Sequence, residues 1–179
     1  MILTGPEIGA AVRDGRVRID PFDPGQVNPN SYNVRLGDTL LTYTDPVIDA
    51  HRPNPTRTVT IDSGGHVLRP DELYLGHTVE RVGSDAFVPL LFGRSSVGRL
   101  GLFVEITAPI GDIGFYGQWT LMLSAIRPLR VYSGMRIGQI MFFLSAGPID
   151  LYHGKYQASD GPQPSRLWDD GRRRLEAAT

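Results

Sequence analysis

From Pro89 to Leu144 the chain runs as one short alternating segment after another, PLLF, GLFVEITA, QWTLMLS, LRVYSG and RIGQIMFFL, each cut from the next by glycine, proline or a polar turn. Apolar residues at every second position put one strand face into a core and the other outside. The interruptions continue along the chain: 21 glycines and 14 prolines are scattered through 179 residues, the punctuation of many short strands joined by turns. The expected fold is therefore mostly β, one domain over residues 1–170, long enough to bury its own core without a disulfide or a metal. One helix is expected at the start, where Thr4 and Glu7 have capping-box spacing and Ile8, Ala11 and Val12 form an apolar stripe ending near Gly15. Arg16 to Ile19 reads as a short strand that breaks at Pro21 and Pro24, and alternation resumes at Val34. Residues 44–66, rich in Pro, Thr, Asp and Gly, read as a surface excursion, and 67–79 as a hairpin strand entering the core.

Several function classes drop out at once. A chain with no cysteine has no nucleophilic thiol, no thiolate zinc cluster and no disulfide, which fits a reducing compartment. A net charge of -1 argues against a surface that coats nucleic acid, while local basic clusters stay free to bind a small anion. No apolar run approaches the roughly 18 residues of a membrane span. Met1-Ile2-Leu3 leads directly into Thr4-Gly5-Pro6-Glu7, which does not read as a signal peptide, so a cytoplasmic protein is expected. His51 and His66 fall in the surface excursion and are expected to be exposed; His77 with Glu80 three residues on supplies too few ligands for a metal.

The chemistry concentrates between Phe92 and Met122. Gly93-Arg94-Ser95-Ser96 offers backbone donors, two hydroxyls and a guanidinium, the groups that suit phosphate oxygens, and Arg99 adds a second cation within one helical turn. After an apolar run, the Gly/Pro-rich hairpin from Pro109 to Gly117 carries one carboxylate, Asp112. Arg35, flanked by apolar residues, either points to solvent from an edge strand or buries its charge at a subunit seam or phosphate site. The tail from Tyr152 to Arg166 is polar and Gly/Pro-rich, yet holds Lys, Tyr and Arg at close spacing. It is either a disordered terminus or a lid that orders over a polyphosphate, spanning 152–170, with 171–179 a frayed end.

Together these segments resemble the dCTP deaminase and dUTPase superfamily, and within it the dCTP deaminase branch. The resemblance runs through MILTG and its helix, NPNSYNVRLG, RSSVGRLGL, TAPIGDIGFYG, the stretch Ser133 to Gln139, and GKYQ with GPQPSR at the end. It implies a distorted β-barrel or jelly-roll subunit forming a homotrimer, with active sites between subunits and a pyrimidine nucleotide triphosphate bound with Mg2+ through its phosphates. Carried over by residue, Arg94, Ser95, Ser96 and Arg99 face the phosphates and the reacting centre, Thr107 and Ala108 line the base through backbone groups, and Asp112 holds the deoxyribose. In the dUTPase branch the counterpart of Asp112 positions the attacking water. Lys155, Tyr156 and Tyr152 close the C-terminal segment over the triphosphate. No metal ligand of the protein itself is implied.

One departure decides how far this carries. In the deaminases the strand after the hairpin bears a glutamate that acts as general base on the water attacking C4 of cytosine; here that count from Gly117 lands on Met122. Gln118, Thr120, Met122 and Ser124 share one strand face, so the methionine stands in the site-facing row. A thioether takes no proton, and loss of a positioned base costs about 10²–10⁴ in rate. Pro109-Ile110 after Thr-Ala, Asn33 where an aspartate is usual, and Asp160 in the tail depart as well. Glu105, where the family often has histidine, either pairs with an arginine such as Arg94 or Arg99 or replaces the missing base. Zinc-type deamination is excluded by the absence of cysteine.

Three functions fit. The leading one is a magnesium-dependent pyrophosphohydrolase acting on dUTP, dCTP or a modified cytosine nucleotide, in which Asp112 orients water at the α-phosphorus. The second is a dCTP deaminase using Glu105 or a relayed water. The third is a non-catalytic nucleotide-binding regulator that keeps binding residues and has lost a chemical one.

Overall fold

The computed structural model describes residues 1–105 and 107–170, so the expected frayed end, 171–179, lies outside the described residues. The fold is mostly β. Its elements are helix α1 (Gly5–Arg13), β1 (Val17–Asp20), β2 (Tyr32–Arg35), β3 (Thr39–Tyr43), β4 (Thr56–Thr60), β5 (His66–Leu68), β6 (Tyr74–Ser84), β7 (Phe87–Gly93), the single turn α2 (Ser95–Gly98), β8 (Leu102–Val104), β9 (Tyr116–Ala125), β10 (Leu129–Val131) and β11 (Arg136–Leu144). Short 3-10 turns cover Pro24–Gln26 and Leu167–Asp169. No described helix is long and apolar enough to cross a membrane.

All strand pairs are antiparallel and fall into three sheets, not one closed barrel. The largest runs β4-β3-β6-β9-β8, with β1 on the free end of β6; β2-β11-β7 form the second and β10-β5 the third. β6 is the spine. Its first half meets β3 at Leu41↔Leu75, its second half meets β1 from Val17↔Ser84 to Asp20↔Arg81, and β9 runs along its other edge. Between the sheets lies a core whose fully buried members include Tyr32, Leu36, Leu91, Leu121, Ile140 and Phe142. The alternation read from the sequence is visible in β9, where Trp119, Leu121 and Leu123 are buried and Gln118, Thr120 and Met122 are half-buried on the opposite face.

Two sequence expectations need correction. Thr4 occupies the N-cap of α1, but its side chain makes no capping bond, and Glu7 reaches Arg16 at 2.9 Å instead. The carboxylate is taken up by a cation, and the backbone donor that a capping box requires does not bond it. The 44–66 excursion also contains a strand: β4 pairs with β3 from Thr39↔Thr60 to Tyr43↔Thr56. As an edge strand exposed along most of its length, it has no buried face to impose an apolar period.

Arg35 meets its partner inside the subunit. Its Nε donates to Glu80 Oε1 at 2.6 Å and its backbone N–H to Oε2 at 2.9 Å, and the Glu80 side chain is fully buried. His77 is buried beside β9, with Nδ1 3.0 Å from the Thr78 carbonyl; His51 is exposed as expected, while His66 is half-buried in β5 with its ring against Tyr74.

Candidate functional site

The half-buried face of β9 forms the floor of a cavity of about 530 Å³. Gln118, Thr120 and Met122 project into it because they share one parity on the strand, and Leu75 joins them because β6 sets Leu75 opposite Met122. Trp119 is buried and donates its indole N–H to the Val82 carbonyl at 3.1 Å, which fixes the ring that backs one wall. Most of the remaining lining is apolar: Ile48, Leu73, Ile110 and Phe115.

Glu105 stands where the β8–β9 ladder stops. The pairs Phe103↔Ser124 and Val104↔Leu123 lead toward a next pair, Glu105 with Met122, but the backbone turns away at Glu105 with φ 55. That left-handed conformation is uncommon for a residue other than glycine and strained for a long side chain. The bond that the ladder loses is replaced by the side chain: the Met122 N–H donates to Glu105 Oε1 at 3.0 Å. Glu105 is only 8% exposed and lines the cavity. Burial pushes its carboxyl up to about 7, against the opposing pull of the Met122 N–H, which favours the ionised form. No arginine pairs with it among the described residues.

The hairpin that carries Asp112 is pinned from both sides. Leu91 N–H donates to Pro109 O at 2.8 Å, Gly111 N–H to Pro89 O at 2.8 Å and Gly114 N–H to Ser84 O at 2.7 Å. Gly111 has no alternative, because a Cβ there would lie 2.2 Å from the Trp119 ring. Asp112 is exposed at the cavity rim, and its carboxylate has no hydrogen-bond or ion-pair partner among the described residues.

The tail from Tyr152 to Ser165 packs along the same face. Gln118 N–H donates to Ser159 O at 2.9 Å, Gly161 N–H to Gln118 Oε1 at 2.6 Å, Gln163 N–H to Thr120 Oγ1 at 2.9 Å and Ser165 N–H to the Tyr43 hydroxyl at 2.9 Å. Gly117 makes this approach possible, since a Cβ would meet Ser159 N at 2.8 Å. Arg81 bonds Asp160 at 2.7 Å, so the unexpected carboxylate of the tail has a partner on β6. Tyr152 and Tyr156 reach the cavity wall. Lys155 does not: its ammonium is held within the tail by the Arg166 carbonyl at 2.9 Å and by Asp170.

Of the residues picked out from the sequence, the cavity brings together Glu105, Ala108, Asp112, Gln118, Met122, Tyr152 and Tyr156. It does not include Thr107 or the basic cluster. Arg94 reaches the Arg136 carbonyl at 3.5 Å, and Ser95 and Ser96 on α2 and Arg99 just after it are exposed, outside the cavity of their own chain. Sequence reasoning missed Tyr43, Ile48, Leu73 and Leu75. Only the register of β6 against β9 would have placed Leu75, and no local pattern carries a register.

In comparisons with known proteins, residues 2–145 match the dCTP deaminase-like family. A dUMP-forming dCTP deaminase of Leptospira biflexa is 50% identical over 171 residues, covering 95% of this chain and 98% of that protein. Another from Clostridium acetobutylicum is 46% identical over 171 residues, again covering 95% and 98%. A solved 2'-deoxycytidine 5'-triphosphate deaminase from Agrobacterium tumefaciens superposes with a TM-score of 0.64 at 22% identity, over 80% of this chain and 48% of that one. That last likeness concerns the fold alone.

Proposed function

The chain belongs to the dCTP deaminase-like family, and from that membership we propose that it is a hydrolase of pyrimidine deoxynucleoside triphosphates, releasing pyrophosphate from a nucleotide bound on β9. The observation that carries this reading is Asp112, an exposed carboxylate at the cavity rim with no partner among the described residues, facing a strand row in which Met122 holds no proton. A carboxylate with uncommitted lone pairs accepts a proton from water and turns the water oxygen toward phosphorus. The name of the relatives supports the same bond cleavage, because a monophosphate forms from a triphosphate only by breaking the link between the α- and β-phosphates.

Magnesium fits this site as a companion of the substrate. Among the described residues no three His, Asp or Glu side chains converge. The ion would be held by the phosphate oxygens, where it would offset charge on the triphosphate. The chain's own residues do the rest. The backbone near Ala108 orients the base, the apolar walls exclude water, Gln118 is spent between the Val79 carbonyl and the Gly161 N–H of the tail, and Tyr152 and Tyr156 hold that tail across the opening as a lid. Arg94, Ser95, Ser96 and Arg99, which lie away from the cavity of their own chain, would serve the phosphates of a neighbouring copy in a homotrimer.

Asp112→Asn tests the assignment. Pyrophosphate release from dUTP in the presence of magnesium should fall by about 10²–10⁴ while nucleotide affinity changes only a few-fold. A variant that keeps the wild-type rate would remove Asp112 from the mechanism.

A further inference from the structure

Met122 leaves the site-facing row of β9 without an acid, yet the cavity is not without one. Where β8 would set Glu105 opposite Met122, the backbone turns at φ 55 and sends the side chain, not the carbonyl, to the Met122 N–H at 3.0 Å. The outcome is a buried carboxyl group fixed through Oε1 beside the strand position where the resemblance calls for a glutamate, with Oε2 lacking a partner among the described residues. We propose that Glu105 is the proton-transfer group for hydrolytic deamination of a cytosine nucleotide in this cavity, supplied by the neighbouring strand in place of the side chain at 122. The proposal rests on the reading that the cavity takes a pyrimidine nucleotide.

The step balances with water alone. Glu105 Oε2 takes a proton as the water oxygen bonds to C4 and the ring accepts the electron pair at N3. The proton passes to the amino nitrogen, the C4–N4 bond breaks as the N3 pair returns to the ring, ammonia leaves, and transfer of the hydroxyl proton from O4 to N3 gives the 4-oxo pyrimidine. The geometry suits both halves: one oxygen is anchored by a backbone donor that does not move, and the other is left for the reacting atoms. A group that takes a proton and returns it needs acid and base in comparable amounts near neutral pH, and burial places this carboxyl at about 7. Among the described residues the other titratable groups lining the cavity are Asp112 at the rim and the phenols of Tyr43, Tyr152 and Tyr156, with no lysine or arginine. His77, on β6 opposite Thr120, does not line the cavity; its Nδ1 lies 3.0 Å from the Thr78 carbonyl and its Nε2 3.8 Å from Asp38 Oδ1. The backbone turn at Glu105 is explained by the same role, because a regular strand would spend the Met122 N–H on a carbonyl and aim the side chain elsewhere.

The test compares two products from the same incubation. The intact protein with magnesium and dCTP should release ammonia and form a uracil nucleotide, while pyrophosphate is measured separately from dCTP and from dUTP. In Glu105→Gln, which keeps an acceptor for the Met122 N–H, the ratio of ammonia to pyrophosphate should fall at least about 100-fold. Adding Met122→Glu to that variant should restore ammonia, a rescue that a purely structural role for Glu105 would not give. Ammonia formation that survives Glu105→Gln overturns the proposal, and so does a wild type that releases pyrophosphate from dUTP but no ammonia from dCTP. The second result would leave the hydrolase reading standing. Ammonia without pyrophosphate from either nucleotide would uphold Glu105 and remove the hydrolase reading.

Discussion

At the scale of the residue, Glu105 has a consequence for stability as well as for chemistry. The folded protein keeps its proton up to about 7, whereas an unperturbed carboxyl releases it near 4.5. Between those values the folded state binds more protons than the unfolded one. Its contribution is therefore full below about pH 4.5 and is lost as pH rises through about 7, roughly 3 kcal/mol in all. Glu105→Gln should lack that loss, so its urea midpoint should gain on the wild type between about pH 5 and pH 8; parallel profiles would mean that the carboxyl is not held protonated. At this scale the sequence was partly legible. Strand parity alone puts Met122 on the site face, but it leaves the partner of Glu105 open between an arginine and the reacting centre. A side chain that replaces a ladder bond depends on a backbone turn at one residue, and neither propensity nor periodicity encodes it.

At the scale of the element, the hairpin, β9 and the tail behave as one unit. Gly117 admits the Ser159 backbone where a Cβ would meet its nitrogen at 2.8 Å, so Gly117→Val should lift the tail from β9. Hydrogen exchange over residues 152–165 should accelerate while the core strands keep their protection; unchanged exchange would show that the tail is held elsewhere. A second element-scale prediction concerns β2 and β6. Arg35→Ala leaves the fully buried Glu80 carboxylate without its guanidinium, at a cost of about 3–5 kcal/mol by chemical denaturation, and a loss below about 1 kcal/mol would show the pair to be dispensable. The alternating strands and the first helix could be read from composition and period because each has one buried face. β4 and the cavity wall at Ile48 and Leu73 could not: an exposed edge strand has no apolar period, and a wall assembled from four segments depends on register.

At the scale of the whole molecule, the cavity of one chain holds the carboxylates and the apolar walls, while Arg94 and Arg99, the cations suited to phosphate, lie outside it on the same chain. An assembly in which each copy completes another's site predicts complementation. Asp112→Asn and Arg99→Ala, each inactive alone, should regain part of the wild-type rate after mixing and refolding, because some sites then combine two intact surfaces. No recovery from mixtures shown to co-assemble would place both groups in one chain's site. The central claim, that water is directed at the α-phosphorus by the rim carboxylate, is met most directly by phosphorus NMR of dUTP turnover in water enriched in heavy oxygen. The account predicts dUMP and pyrophosphate with the heavy isotope in dUMP. Heavy oxygen in pyrophosphate, or release of orthophosphate in its place, would contradict it.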